Sequence, residues 1–323
     1  MLRRFFSTLI LILGGLAGPA AAQNFRGPVS GFVFNPASRT IRPLLGIPGA
    51  AQVGSPLIND VDFASVGPNG KWGLVTKAGQ SYFLLDLAGL APTELSAEGL
   101  IDAVDRVVWN RDGDFALLYS SSTNRLQRVR VSASGVVADA PLDLSSWGPV
   151  TTLAIDPAGL RIAFGAAGSG LFYFEAGQSP ALLSSISRPV AAAFDGGGRR
   201  LYAVDLDQQQ ILEFESGLTA MTFAPLAQAG APAIVPVGLA VSGDGRYLVL
   251  ADGAAQAVLV FDITSRSLAD TIALDFVPSR MEALSSAPTF LLNAESNGEW
   301  LRVLDAKRFP GVFFVPANRE EVR

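Results

Sequence analysis

The stretch that decides the fold runs from Pro236 to Leu274. Val237-Gly238-Leu239-Ala240-Val241 is short and apolar, and Ser242-Gly243-Asp244-Gly245 follows it. Asp-Gly marks a hairpin, because glycine reaches positive φ without a Cβ clash. Tyr247-Leu248-Val249-Leu250-Ala251 reads as a second strand, Ala257-Val258-Leu259-Val260-Phe261-Asp262 as a third and Asp270-Thr271-Ile272-Ala273-Leu274 as a fourth. The segment therefore predicts a four-stranded antiparallel meander. Such a sheet has two apolar faces and cannot bury either alone.

The same pattern recurs along the chain. Val66-Gly67-Pro68-Asn69-Gly70-Lys71-Trp72, Trp109-Asn110-Arg111-Asp112-Gly113-Asp114-Phe115, Ile155-Asp156-Pro157-Ala158-Gly159-Leu160-Arg161 and Phe194-Asp195-Gly196-Gly197-Gly198-Arg199-Arg200 each place an apolar residue before a tight polar turn. The aligned glycines 70, 113, 159, 198 and 245 are 43, 46, 39 and 47 residues apart. A period near 44 is that of propeller blades, in which sheets stack around an axis and bury both faces. The position of Ala240 is Ser65, Val108, Ala154 and Ala193 in the other copies, mostly small residues that suit a strand crowded near the axis.

With Pro236-Val237-Gly238-Leu239-Ala240-Val241 before it, Ser242-Gly243-Asp244-Gly245-Arg246-Tyr247-Leu248-Val249-Leu250-Ala251-Asp252 resembles the repeat of YVTN, NHL and TolB-type β-propellers. The family turn reads Ser-Pro-Asp-Gly, and Gly243 stands here in place of its proline. The resemblance spans nearly all of the chain after the leader. It implies an all-β propeller fold and an extracytoplasmic binding role. It does not choose between catalysts and scaffolds, which share the turn.

Five complete copies begin near Val61, Val104, Val150, Val190 and Val237. A sixth begins near Met281 without the Asp-Gly turn. Ahead of them, Gly31-Phe32-Val33-Phe34-Asn35 and Thr40-Ile41-Arg42-Pro43-Leu44-Leu45 read as a third and fourth strand lacking an inner pair. The expectation is seven blades, one incomplete, over six blades with an extra hairpin, all within one domain over residues 23–323.

Residues 1–22 read as a secretory signal peptide. Arg3-Arg4 is the cationic start, Phe5 to Ala17 the apolar run, and Ala20-Ala21-Ala22 the small-residue cleavage site before Gln23. The apolar run is too short to span a bilayer. The expected destination is the periplasm or the exterior, by the Sec route, with no membrane span after cleavage.

Composition closes several doors. Hydrophobic residues make up 49% and charged residues 16%, which argues against disorder. Cysteine and histidine are both absent, so no Ser-His-Asp triad, thiolate nucleophile or imidazole metal ligand can form. The net charge of −5 gives no basic footprint for nucleic acid.

In a propeller, the loops before the inner strands and those joining second to third strands share one face. Asp60, Asp62, Asp105, Arg106, Arg188, Arg280 and Glu282 fall there and form the candidate ligand-binding set. Arg clamps carboxylates in a bidentate fork, so a protein or a small anionic ligand is the expected partner. The competing interpretation is loop charges that pair with one another. Asp205-Leu206-Asp207 and Asn59-Asp60-Val61-Asp62 have the alternating oxygens that calcium uses, without matching a twelve-residue calcium loop. No cofactor and no catalytic residue is assigned. The function expected is a binding or interaction scaffold, and the alternative is a calcium-dependent lactonase-like hydrolase.

Overall fold

The computed structural model describes residues 28–47, 49–95, 97–215, 220–226, 234–293 and 300–316. Residues 1–22, read above as a signal peptide, and residues 294–297 of one candidate loop lie outside these. The described chain is all-β and forms seven antiparallel sheets, each contiguous in sequence. They are blades 1 to 7, over residues 29–53, 63–95, 106–143, 150–184, 189–225, 236–273 and 282–315. The molecule is a seven-bladed β-propeller.

Seven apolar clusters fill the seven gaps between neighbouring blades. Between blades 5 and 6, Tyr202, Val204 and Phe223 meet Leu248, Leu250 and Phe261. Glu213, 2% exposed, adds an ion-paired staple there, 3.3 Å from Arg200 and 3.0 Å from Arg266. The ring closes where Val33, Leu44 and Val53 of blade 1 pack on Leu284, Leu291, Leu301 and Val303 of blade 7.

The repeated turn has a specific chemical basis. Gly70, Gly113, Gly159, Gly198 and Gly245 all sit near φ +70°, a left-handed conformation that only glycine adopts readily. In four of these turns, those ending at Gly113, Gly159, Gly198 and Gly245, the side chain three positions earlier ties the turn to the second strand. Asp156 Oδ1 accepts the Leu160 and Arg161 amides at 2.7 and 3.0 Å. Asn110 Oδ1 does the same for Asp114 and Phe115, and Asp195 Oδ1 for Arg199 and Arg200. Side chains then link one turn to the next blade: Asn69 donates to the Asp112 carbonyl at 2.9 Å, Asn110 to that of Pro157 at 2.8 Å, and Arg161 to that of Gly198. The lower face is thus laced from blade 2 to blade 5.

Blade 1 corrects one expectation. Val29–Asn35 and Thr40–Leu45 are its second and third strands, not its third and fourth, and the two-residue strand Gln52–Val53 is the last. The evidence is direction. Arg39, in the turn between the two long strands, pairs with Asp60 and Asp62, and Asp60 also pairs with Lys77 in the second-to-third turn of blade 2. That turn of blade 1 therefore lies on the upper face, where second-to-third turns lie. Its chemistry agrees: Asn35 Oδ1 accepts the amides of Ala37 and Ser38, as Asp205 Oδ1 accepts those of Asp207 and Gln208. Among the described residues, blade 1 has no innermost strand.

Close approach at closure requires a residue without a side chain. A Cβ on Gly31 of blade 1 would lie 2.8 Å from the carbonyl oxygen of Leu284 in blade 7. Backbone cannot rotate away, so Gly31→Ala is expected to destabilise the ring by about 1–3 kcal/mol through overpacking. A lowered denaturant midpoint with an unchanged slope checks this; an unchanged midpoint would contradict the closure geometry.

Candidate functional site

A cavity of about 700 Å³ runs along the propeller axis. Its wall comes from the inner strands Phe63–Val66, Arg106–Trp109, Val150–Ile155, Pro189–Phe194, Pro236–Val241 and Glu282–Ser285, and from Phe34 of blade 1. Phe34 reaches the axis because no described strand lies inside it. It meets Phe63 edge-on with ring centroids 6.3 Å apart.

The inner strands of blades 4, 5 and 6 share a device that the sequence did not reveal. Their ladders shift register between Val150 and Thr152, Pro189 and Ala191, and Pro236 and Gly238. A β-bulge re-aims the extra side chain. The extra residues are Thr151, Val190 and Val237, and all three line the cavity near its upper mouth. The available signal was a Val or Pro followed by one residue too many before the small position at Ala154, Ala193 and Ala240.

At the same position in blades 2 and 3 stand Asp62 and Asp105, and each faces its own second-to-third turn. Asp62 Oδ2 accepts the Ala78 amide at 2.7 Å. Asp105 accepts the amide of Ser121 at 3.2 Å and its hydroxyl as well. A carboxylate here ties the strand entering the axis to its own blade.

The sequence-selected residues therefore divide by position. Asp105, Arg106, Arg280 and Glu282 line the cavity; Asp60, Asp62 and Arg188 lie on the same face but outside its lining. Arg280 and Glu282 neutralise each other at 2.6 Å. Arg188 pairs with Asp207 at 3.1 Å. Arg39, Asp60, Asp62 and Lys77 form an exposed network on blades 1 and 2. Arg106 differs: its guanidinium lies over the Tyr119 ring, 5.5 Å from the centroid, and donates to the Val150 carbonyl at 3.2 Å. It has no carboxylate partner among the described residues. Arg111, an exposed residue, lines the lower mouth beside Asp195 and Gly196. Among the described residues, no three carboxylates gather closely enough to hold a metal ion.

No protein-family model matches the chain, and no curated protein is significantly similar to it. Solved structures do share its architecture. A protein described as functionally unknown, from Desulfotomaculum acetoxidans, superposes with a TM-score of 0.61 at 15% identity, over 89% of this chain and 99% of that one. A putative 6-phosphogluconolactonase from Bacteroides fragilis gives 0.60 at 12% identity, over 90% and 95%. A chain of the nidogen–laminin complex gives 0.50 at 12% identity, over 75% and 92%. At these identities the likeness establishes the fold alone.

The Lys77 ammonium, bonded to Asp60, and then the Arg39 guanidinium hold the Asp60 carboxyl below its usual range. A depressed folded-state pKa stabilises above the usual carboxylate range, and that contribution disappears as pH falls through the depressed value. Lys77→Met is expected to raise the Asp60 pKa toward the ordinary aspartate range. Carboxyl chemical shifts followed by NMR through acid titration check this; an unmoved midpoint would remove Lys77 as the cause.

Proposed function

We propose that the protein is an exported binding scaffold whose axial cavity takes a small apolar anion through its upper mouth. The observation that carries this is Arg106. It is a partly buried cation without a carboxylate partner among the described residues, and it stands at the rim of a cavity of about 700 Å³. Ligand sites are concave, largely apolar, and furnished with a few polar groups that fix orientation. Arg106 supplies such a group, because stacking on Tyr119 leaves the in-plane N–H donors not bonded to the Val150 carbonyl available to an anion. Arg280 and Glu282 form the opposite side of the mouth, with Asp60, Asp62 and Arg188 as its outer rim. Export rests on the leader read at residues 1–22. The repeat type rests on the Ser242–Asp252 resemblance, and it favours extracytoplasmic binding.

The probe for this reading is 1-anilinonaphthalene-8-sulfonate, an apolar anion. Its fluorescence should rise on the folded protein. Arg106→Ala should weaken binding about tenfold or more, the worth of a charge-assisted hydrogen bond. Glu282→Gln should tighten it by releasing Arg280. Arg199→Ala, an exposed arginine on the lower face, is the control for net charge. Equal binding by the Arg106 and Arg199 variants would sink the proposal.

A calcium-dependent lactone hydrolase is the second reading, motivated by the likeness to the putative lactonase. That likeness extends to the fold, so the test is binding of the ion itself. A calcium site present only in the folded protein raises the melting midpoint by mass action. Identical melting curves in millimolar calcium and in EDTA would end this reading.

A further inference from the structure

We propose that the inner edge of blade 1 is the docking site of the chain's own residues 18–23, and that the export leader is therefore cut after Ala17 and not after Ala22. This rests on the export reading above and moves its cleavage site.

The edge itself is the first observation. In blades 2 to 7 the second strand is paired on both sides, whereas Val29–Asn35 pairs only with Thr40–Leu45 among the described residues. Its other edge faces the axis, and such a row of backbone groups is a template for one more strand.

The residues that lead into this strand carry the inner hairpin of the repeat. Five blades join inner to second strand through five residues, 67–71, 110–114, 156–160, 195–199 and 242–246, with a positive-φ glycine in fourth place. The first amide of the five donates to the carbonyl that opens the second strand, as Asp156 does to Arg161 at 2.9 Å and Ser242 to Tyr247 at 2.8 Å. The fifth carbonyl accepts an amide from just past the third strand. Leu160 accepts that of Ala176 at 2.8 Å and Arg246 that of Ile263 at 2.9 Å. Pro28 accepts that of Gly46 in the same way, at 2.8 Å. Pro28 therefore holds the fifth place of this turn. Gly27 then falls on the repeat glycine, and Asn24 on the place of Asn110, Asp156, Asp195 and Ser242.

Counting back from Gly27 puts Ala20-Ala21-Ala22 in the places of Ala191-Ala192-Ala193, and Ala22 on the small axial position of Ser65, Ala154 and Ala240. Two residues depart from the pattern. Gln23 stands where the other copies are apolar, and Pro28 has no amide to give Asn24, so this turn has one bond fewer than that of blade 4. The other end of the chain is a poor rival, because Asn318-Arg319-Glu320-Glu321 has none of the small apolar residues of an inner strand.

A cut after Ala22 would remove this strand. Gly15-Leu16-Ala17 offers the same small-residue pattern earlier, behind an apolar run over residues 5–13 that is long enough for a leader. Water hydrolyses the Ala17–Gly18 peptide bond there, leaving a carboxylate on Ala17 and the new amino terminus on Gly18.

The first experiment expresses the full chain with its leader in an exporting bacterium and reads the N-terminus of the periplasmic protein by intact mass. The expected start is Gly18. A start at Gln23 overturns the inference and leaves export standing. A chain kept in the cytoplasm with its leader intact overturns both. The second experiment does not depend on export and compares chains 18–323 and 23–323 by hydrogen exchange. Axis-facing amides of Val29–Asn35 should exchange about tenfold or more slowly in the longer chain, and its urea midpoint should be higher. Ala22→Trp, which overfills the axial position, should return the longer chain to the behaviour of the shorter one. Ala22→Ser should not, because Ser65 holds that place in blade 2. Equal exchange in the two chains overturns the pairing.

Discussion

Closure of the ring is the constraint on which the other features depend. Each blade is a sheet with two apolar faces, and only a neighbour on each side removes both from water. Six of the seven junctions join blades that are consecutive in the chain, so local tethering holds them together. The seventh joins blade 1 to blade 7 without any described strand passing from one sheet to the other. Packing of Val33, Leu44 and Val53 on Leu284, Leu291, Leu301 and Val303 therefore carries that junction, and Gly31 lets the two backbones approach. Loss of this contact would expose apolar surface on both blades at once.

A closed ring fixes the inner strands, and the inner strands create the cavity. The lower-face turns contribute twice. Glycines with Asx side chains set the hairpins of blades 2 to 5, and the links from Asn69, Asn110 and Arg161 tie those hairpins to one another. On the upper face, position three before the small residue has two uses. It is an Asp that ties its own blade in blades 2 and 3, and a bulged residue facing the axis in blades 4 to 6. One repeat position thus holds the scaffold on one side of the ring and lines the cavity on the other.

The charged residues on the upper face illustrate how pairing reduces a list of candidates. Surface ion pairs contribute little each, but they decide which charges remain available to a guest. Asp60 and Asp62 are taken by Arg39 and Lys77, Arg188 by Asp207, and Arg280 by Glu282. Among the upper-face arginines, Arg106 is the one that both lines the cavity and lacks such a partner among the described residues. Loop position alone could not separate it from the other six.

The sequence by itself determined the architecture. The Asp-Gly and Asn-x-x-Gly turns, their period and the strands between them are local features, and local backbone chemistry is written residue by residue. It also brought Asp105, Arg106, Arg280 and Glu282 to one face, because repeat topology follows from strand order. Blade 1 was misread by one strand because Gln52–Val53 is only two residues long and hidden among glycines and prolines. The clue that would have corrected it, the likeness of the Asn35 and Asp205 turns, is a hydrogen-bond pattern and not a residue motif. The bulges at Thr151, Val190 and Val237, the pairing of the rim charges and the isolation of Arg106 were decided only by tertiary structure. Each depends on the distance between atoms in different strands or blades, and no spacing along one chain encodes that distance.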